Sequence, residues 1–160
     1  MMKRTVGLVV AMAALTFAAV LQASDMYGVY GVIEKVVLEP NEKAPERVQI
    51  WGAFAIAEGT NGSRYGATQR GYLYYSCPSG QESTCRNEWS DMKSVAGKGT
   101  AVGFAMRYKP TGRVRKADEK IASPDSYPVQ MGVLKVEIPA ERGSDTAKVI
   151  EGLKAAVKQQ

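Results

Sequence analysis

The side chains that could do chemistry in this chain are tyrosines, carboxylates, lysines and two cysteines, because its 160 residues include no histidine. That removes the commonest general base and metal ligand and excludes Ser-His-Asp and Cys-His arrangements. Ser90 and Lys93 have the Ser-x-x-Lys spacing that sets a hydroxyl one helical turn from a lysine. The Ser-Asp-Asn that completes such a site is missing and the chain is short for the fold that carries it, so the pair reads as an exposed helix face. Gly97-Lys98-Gly99-Thr100 has a passing likeness to a phosphate loop. Met92 stands where the first glycine belongs, and Gly99 follows the lysine in place of Ser or Thr, so the stretch reads as a helix end and a tight turn. Glu88 and Asp91 share a helix face, while Glu34, Glu39, Glu42 and Glu46 scatter through the first strand and loop. Paired acids hydrolyse glycosides only across a cleft. Nothing in the sequence builds one, so these carboxylates are expected at the solvated surface. No catalytic residue, metal ligand set or cofactor is expected.

The tyrosines and basic residues carry more information. Tyr27, Tyr30, Tyr65, Tyr72, Tyr74 and Tyr75 accompany Trp51 and Trp89. Aromatics on a strand face beside cations can stack a sugar or a base. The basic residues cluster from Arg107 through Arg113, Arg115 and Lys116 to Lys120, with Asp118 and Glu119 offsetting part of the charge. The candidate ligand-binding set is therefore Trp51, Tyr72, Tyr74, Arg107, Arg113 and Arg115. The competing readings are core packing for the aromatics and a solvated hairpin for the cations.

Composition places the chain in one ordinary domain, 45% hydrophobic and 23% charged. The formal net charge of +5, of which Lys3 and Arg4 supply two, favours solubility and argues only weakly for a polyanionic partner. Met-Met-Lys-Arg, an apolar run from Val6 to Leu21 and then Gln22-Ala23-Ser24-Asp25 make the pattern of a secretory signal peptide. Residues 1–23 are expected to be removed, leaving 24–160 as a single β-rich domain with no membrane span, secreted or periplasmic. In an oxidising compartment the only two cysteines, Cys77 and Cys85, are expected to form a disulfide.

The elements that must position these residues follow from periodicity. β-Branched content predicts a strand over about 30–39, ended by the loop from Pro40 to Pro45. A second strand over 47–57 puts Val48, Ile50, Phe54 and Ile56 on one face, with Gln49, Trp51 and alanines on the other. Gly52 interrupts it and marks a bulge or sharp bend. After a polar loop over 58–69, a tyrosine-rich strand begins near Arg70. Cys85, Trp89, Met92 and Ala96 recur at spacings of three and four, predicting a helix over 85–96 that Ser83 or Thr84 caps and Gly97 ends. Strict alternation predicts a strand over 99–108, with Val102, Phe104, Met106 and Tyr108 on one face. The segment around Pro124 and Pro128 reads as a turn, 129–138 as another strand, and 145–158 as a terminal helix capped by Ser144. Trp89 is expected in the core and Trp51 on the opposite, ligand-facing side.

This order of elements, with a helix between the third and fourth of about five strands, resembles the oligonucleotide/oligosaccharide-binding barrel, the OB-fold. The likeness spans about 30–138 and carries no diagnostic motif. The chain also resembles small secreted bacterial proteins, a likeness that brings no activity with it. The expected fold is thus mainly β, a small OB-like barrel with a C-terminal helix. The alternative is an open β-sandwich with that helix packed on one face. The expected function is an exported, non-catalytic binding or accessory module of the cell envelope, taking an envelope protein, a glycan or a small ligand. Export disfavours nucleic acid. The alternative from another class is a small histidine-free enzyme using Glu, Lys and Tyr.

Overall fold

A computed structural model describes residues 27–58, 64–106, 114–120, 123–127 and 140–159. The expected signal peptide, Arg107, Arg113 and the expected strand over 129–138 lie outside the described residues. The elements are β1 (Tyr27–Glu39), β2 (Arg47–Glu58), β3 (Arg64–Tyr65), β4 (Gln69–Ser76), α1 (Glu82–Val95), β5 (Ala101–Met106), β6 (Asp125–Ser126) and α2 (Asp145–Lys158). The strands form a mixed sheet in the order β5-β1-β2-β4-β6, with β3 paired to the end of β2. All pairings are antiparallel except β4 with β6, which is parallel.

The fold is mainly β with two helices, and it corrects the expected closed barrel. Among the described residues no ladder joins β5 to β6, so the sheet is open, because β6 pairs only two residues with the end of β4. This is the open arrangement of the alternative reading. The short strand β6 stands where the sequence, read through Pro124 and Pro128, gave a turn. The Tyr127 N–H, donating to the Ser76 carbonyl at 2.9 Å, continues the β4 edge there.

Alternation along β1, β2 and β4 sends side chains to two faces with different partners. On the inner face Val29, Ile33, Val48, Ile50, Phe54, Leu73 and Tyr75 pack with Cys85, Trp89, Met92 and Val95 of α1. On the outer face Val32, Ala53, Ala55 and Ala101 pack with Ile150 and Leu153 of α2. A helix of about four turns does not hold itself together in water, so each draws its stability from this burial. Trp89 is fully buried and meets Tyr127 edge-on, with ring centroids 5.6 Å apart.

Local chemistry sets the ends of the helices. α1 begins at Glu82, earlier than the periodicity suggested, so Ser83 and Thr84 lie inside its first turn and cap nothing. Its N-cap, Gln81, makes no side-chain capping bond. Gly97 ends α1 at positive φ as expected, and its N–H donates to the Ile33 carbonyl at 2.9 Å, tying the helix end to β1. The Ser144 hydroxyl accepts from the Ala147 N–H at 3.2 Å and caps α2. Cys77, after β4, and Cys85, in α1, are bonded, with S–S 2.08 Å. The bond fixes α1 to the strand that carries Tyr72 and Tyr74.

The register between β1 and β2 slips by one residue between Ile33 and Lys35, opposite Gly52. The glycine thus marks a bulge on its partner strand. A Cβ at Gly52 would lie 2.1 Å from the Val32 carbonyl oxygen. Across the next ladder Gly52 faces Gly71, where a Cβ would lie 1.7 Å from the Arg115 carbonyl oxygen.

Candidate functional site

Among the described residues α2 covers the outer face at one end. Further along it, beyond the ion pair of Glu34 with Arg70 (2.9 Å), β1, β2 and β4 present a mixed aromatic and polar row. Trp51 pairs with Lys35 on one side and Tyr72 on the other, and Gln49 pairs with Tyr74. These neighbours follow from register alone, since directly opposite residues point to the same side of the sheet.

The geometry is specific. The rings of Trp51 and Tyr72 stack with centroids 4.5 Å apart, and the Lys35 ammonium lies 4.5 Å from the Trp51 centroid. Both the cation and the stacked ring are favourable partners for the indole. The Trp51 N–H donates to the Gln49 side-chain oxygen at 2.9 Å, and the Gln49 amide donates to the Glu39 carboxylate at 2.8 Å. The same carboxylate accepts from the Tyr74 hydroxyl at 2.8 Å and from Arg47 Nε at 3.2 Å. Glu39 is therefore not the free surface acid that the sequence suggested. It is the node of a chain running Trp51, Gln49, Glu39, with Tyr74 and Arg47 joined to it. Tyr74 is held above its usual pKa, first by burial and then by its bond to Glu39.

Arg115 completes the row from a different part of the chain. Its N–H and C=O exchange hydrogen bonds with Tyr72 at 2.9 and 3.0 Å, so Arg115 bridges to β4 on the edge away from β2, the edge that also carries β6. Val114 turns to the inner core. The Arg115 guanidinium carbon lies 5.9 Å from the Tyr74 ring centroid, and Nη2 donates to the Ser123 carbonyl at 3.0 Å and to Asp125 at 3.3 Å. Arg115 is only 8% exposed, and its Nε has no hydrogen-bond partner among the described residues. The Tyr72 hydroxyl donates to the Glu119 carbonyl at 3.2 Å, so the turn after Arg115 folds over this ring.

The structure thus brings together four of the six residues that the sequence singled out: Trp51, Tyr72, Tyr74 and Arg115. Tyr72 and Tyr74 are 1% and 5% exposed, so what reaches solvent is Trp51, half-buried, with Lys35 and Arg47. Sequence reasoning missed Lys35, Glu39, Arg47 and Gln49 as partners of the row. Their signal was the period of two in adjacent strands, legible only once the hairpin register is known.

A second titratable cluster lies at the end of the inner core. The Tyr127 hydroxyl donates to the Glu88 carboxylate, and Tyr127 meets Tyr75 edge-on at 5.9 Å. Burial raises the Tyr127 pKa, with Glu88 adding to it. Burial also raises that of Glu88, against the lowering effect of the bond from Tyr127. Comparison with family models, with curated proteins and with solved structures found no match to this chain.

Proposed function

We propose that this chain is an exported, non-catalytic binding module of the cell envelope that takes its ligand on the outer face of β2 and β4. The observation that carries the reading is the convergence of Trp51, Tyr72, Tyr74 and Arg115 on one sheet face, with Lys35, Glu39, Arg47 and Gln49 tied into the same row. An indole edge beside an ordered run of amide, carboxylate and guanidinium suits a ligand that offers an apolar ring and several hydroxyls or amides. A glycan has that chemistry, and so has a polar segment of an envelope protein. Glu39 is saturated with donors and Tyr74 sits above its usual pKa, so neither is poised to act as a base. That favours binding over the histidine-free enzyme.

In this reading the fold is an OB-like sheet opened at one seam. The order β5-β1-β2-β4-β6 supports it: the strand after α1 returns to β1, and the last described strand lies beside β4. OB-folds bind oligonucleotides and oligosaccharides on the face of their second and third strands, here β2 and β4. The bonded cysteines suit the oxidising compartment that the amino-terminal pattern implies.

The test is a titration of isotope-labelled protein with a panel of envelope oligosaccharides, followed by amide and indole shifts. Binding should move the Trp51 indole N–H and the Gln49 and Arg47 resonances while the buried Trp89 indole stays in place. Shifts clustered elsewhere, or an equal response from a Trp51→Ala variant, would refute the assignment of the face.

A further inference from the structure

Away from the aromatic row, the bulge of β1, the turn before β5 and the last turns of α2 enclose a cleft of about 510 Å³. That volume lies within the range of small-molecule sites. Its apolar wall is Val157 on the helix, lying over Val32 of the sheet, which is itself almost fully buried. The turn contributes Gly97 and Gly99, both at positive φ, so the cleft stays open where side chains would otherwise enter. A Cβ at Gly99 would meet nothing within 4 Å. Lys154 and Lys158 also line the cleft, one helical turn apart on one side of α2. Both are exposed, and neither forms an ion pair among the described residues. Among the described residues the one acid lining it, Glu34, is held by Arg70 at 2.9 Å, so the described charges at the mouth are net positive. The helix dipole alone accounts for a cation in the last turn, but not for two beside an apolar wall.

We infer that this cleft is a second binding site, for a free anionic amphiphile: a straight-chain carboxylate whose head meets Lys154 and Lys158 and whose tail lies against Val157 and the glycine turn. Charge complementarity selects the head and the apolar wall selects the tail. The site is independent of the ligand proposed for the Trp51 face, and the Glu34–Arg70 pair stands between the two.

The experiment titrates the protein with sodium decanoate below its micellar concentration, with octanoate, decanol and inorganic phosphate as comparators, following amide shifts. Decanoate should move resonances at 33–34, 97–99 and 154–158. It should bind roughly tenfold more tightly than octanoate, as expected for two further buried methylenes. Decanol should bind about tenfold more weakly than decanoate. Lys154→Gln with Lys158→Gln should remove the preference for decanoate over decanol. Val157→Trp should fill the cleft and abolish binding while leaving the circular dichroism spectrum unchanged. The inference is overturned if decanoate moves none of these resonances, if decanol binds equally well, or if phosphate competes as strongly as the acid. Shifts confined to Trp51 and its neighbours would also overturn it, while leaving the outer-face binding reading intact.

Discussion

Replacing Trp89 by alanine should be the most damaging single truncation in α1. The side chain is fully buried between Cys85, Met92 and the inner sheet face, with Tyr127 against it. An aromatic of this class buries roughly 150–250 Å², which at about 25 cal/mol per Å² gives roughly 4–6 kcal/mol as an upper bound. Truncations of large buried aromatics cost about 3–5 kcal/mol, which includes the cavity left behind. One feature works in the other direction. The Trp89 indole N–H is buried and makes no hydrogen bond of good geometry among the described residues, having only a weak interaction with the Tyr127 hydroxyl, so removing it relieves at most about 1 kcal/mol. The expected loss is therefore about 2–4 kcal/mol, a fall in Tm of roughly 5–15 °C for a domain of this size. Trp51→Ala loses a stacked tyrosine and a cation at a half-buried site, about 1–2 kcal/mol. Thermal unfolding of both variants, with urea titration to confirm the free energies, compares them directly. If Trp89→Ala melts with the parent while Trp51→Ala unfolds, the two faces of the sheet have been assigned the wrong way round.

Three further expectations concern separate parts of the molecule. Cys77→Ser with Cys85→Ser should destabilise the protein by about 2.6 kcal/mol on the chain-entropy model, read by urea unfolding; an unchanged midpoint would mean that packing alone holds the loop. Gly71→Ala should displace residues 114–116 from the β4 edge, because the new Cβ would collide with the Arg115 carbonyl. Hydrogen exchange at the Tyr72 and Arg115 amides should rise, and unchanged protection at both would contradict the geometry. Burial raises the folded-state pKa of Glu88 above its ordinary value of 4.5. Its contribution to stability is thus full at pH below that value and is lost as pH rises through the folded-state pKa. Glu88→Gln should therefore leave Tm unchanged near about pH 4 and raise it near about pH 7, and the opposite trend would exclude the desolvation argument.

The sequence carried the parts of this structure that depend on period and on local chemistry. Val48, Ile50 and Phe54 face inward and Gln49, Trp51 and the alanines outward, because alternation is fixed by the pleat. The Ser144 cap, the stop at Gly97 and the Cys77–Cys85 pair were equally local. What escaped was set by pairing between distant segments. The start of α1 moved because Glu82 extends the helix before the apolar stripe begins, where periodicity is silent. β6 was hidden because two residues beside proline have no pattern of their own. Of the candidate site, the aromatic members were legible as types, but their neighbours were not. Glu39 reads as one acid among several until the β1–β2 hairpin brings it to Gln49 and β4 brings it Tyr74.

The facing glycines of β2 and β4 bear on how this protein would answer a survey of all substitutions. Gly52 and Gly71 each lie against a carbonyl oxygen at a distance no Cβ can occupy. Each is also next in sequence to a residue of the aromatic row, Trp51 and Tyr72. Both glycines should reject every replacement, whatever its polarity or charge, in a selection for folded protein as much as in one for binding. Trp51, half-buried, should be constrained much more tightly when the selection is for ligand than when it is for folded protein. A map of tolerance made under function alone would merge the four positions into one intolerant patch and credit the glycines with recognition. Run under both selections, the same map separates them, and the residues that remain outline the surface a ligand meets.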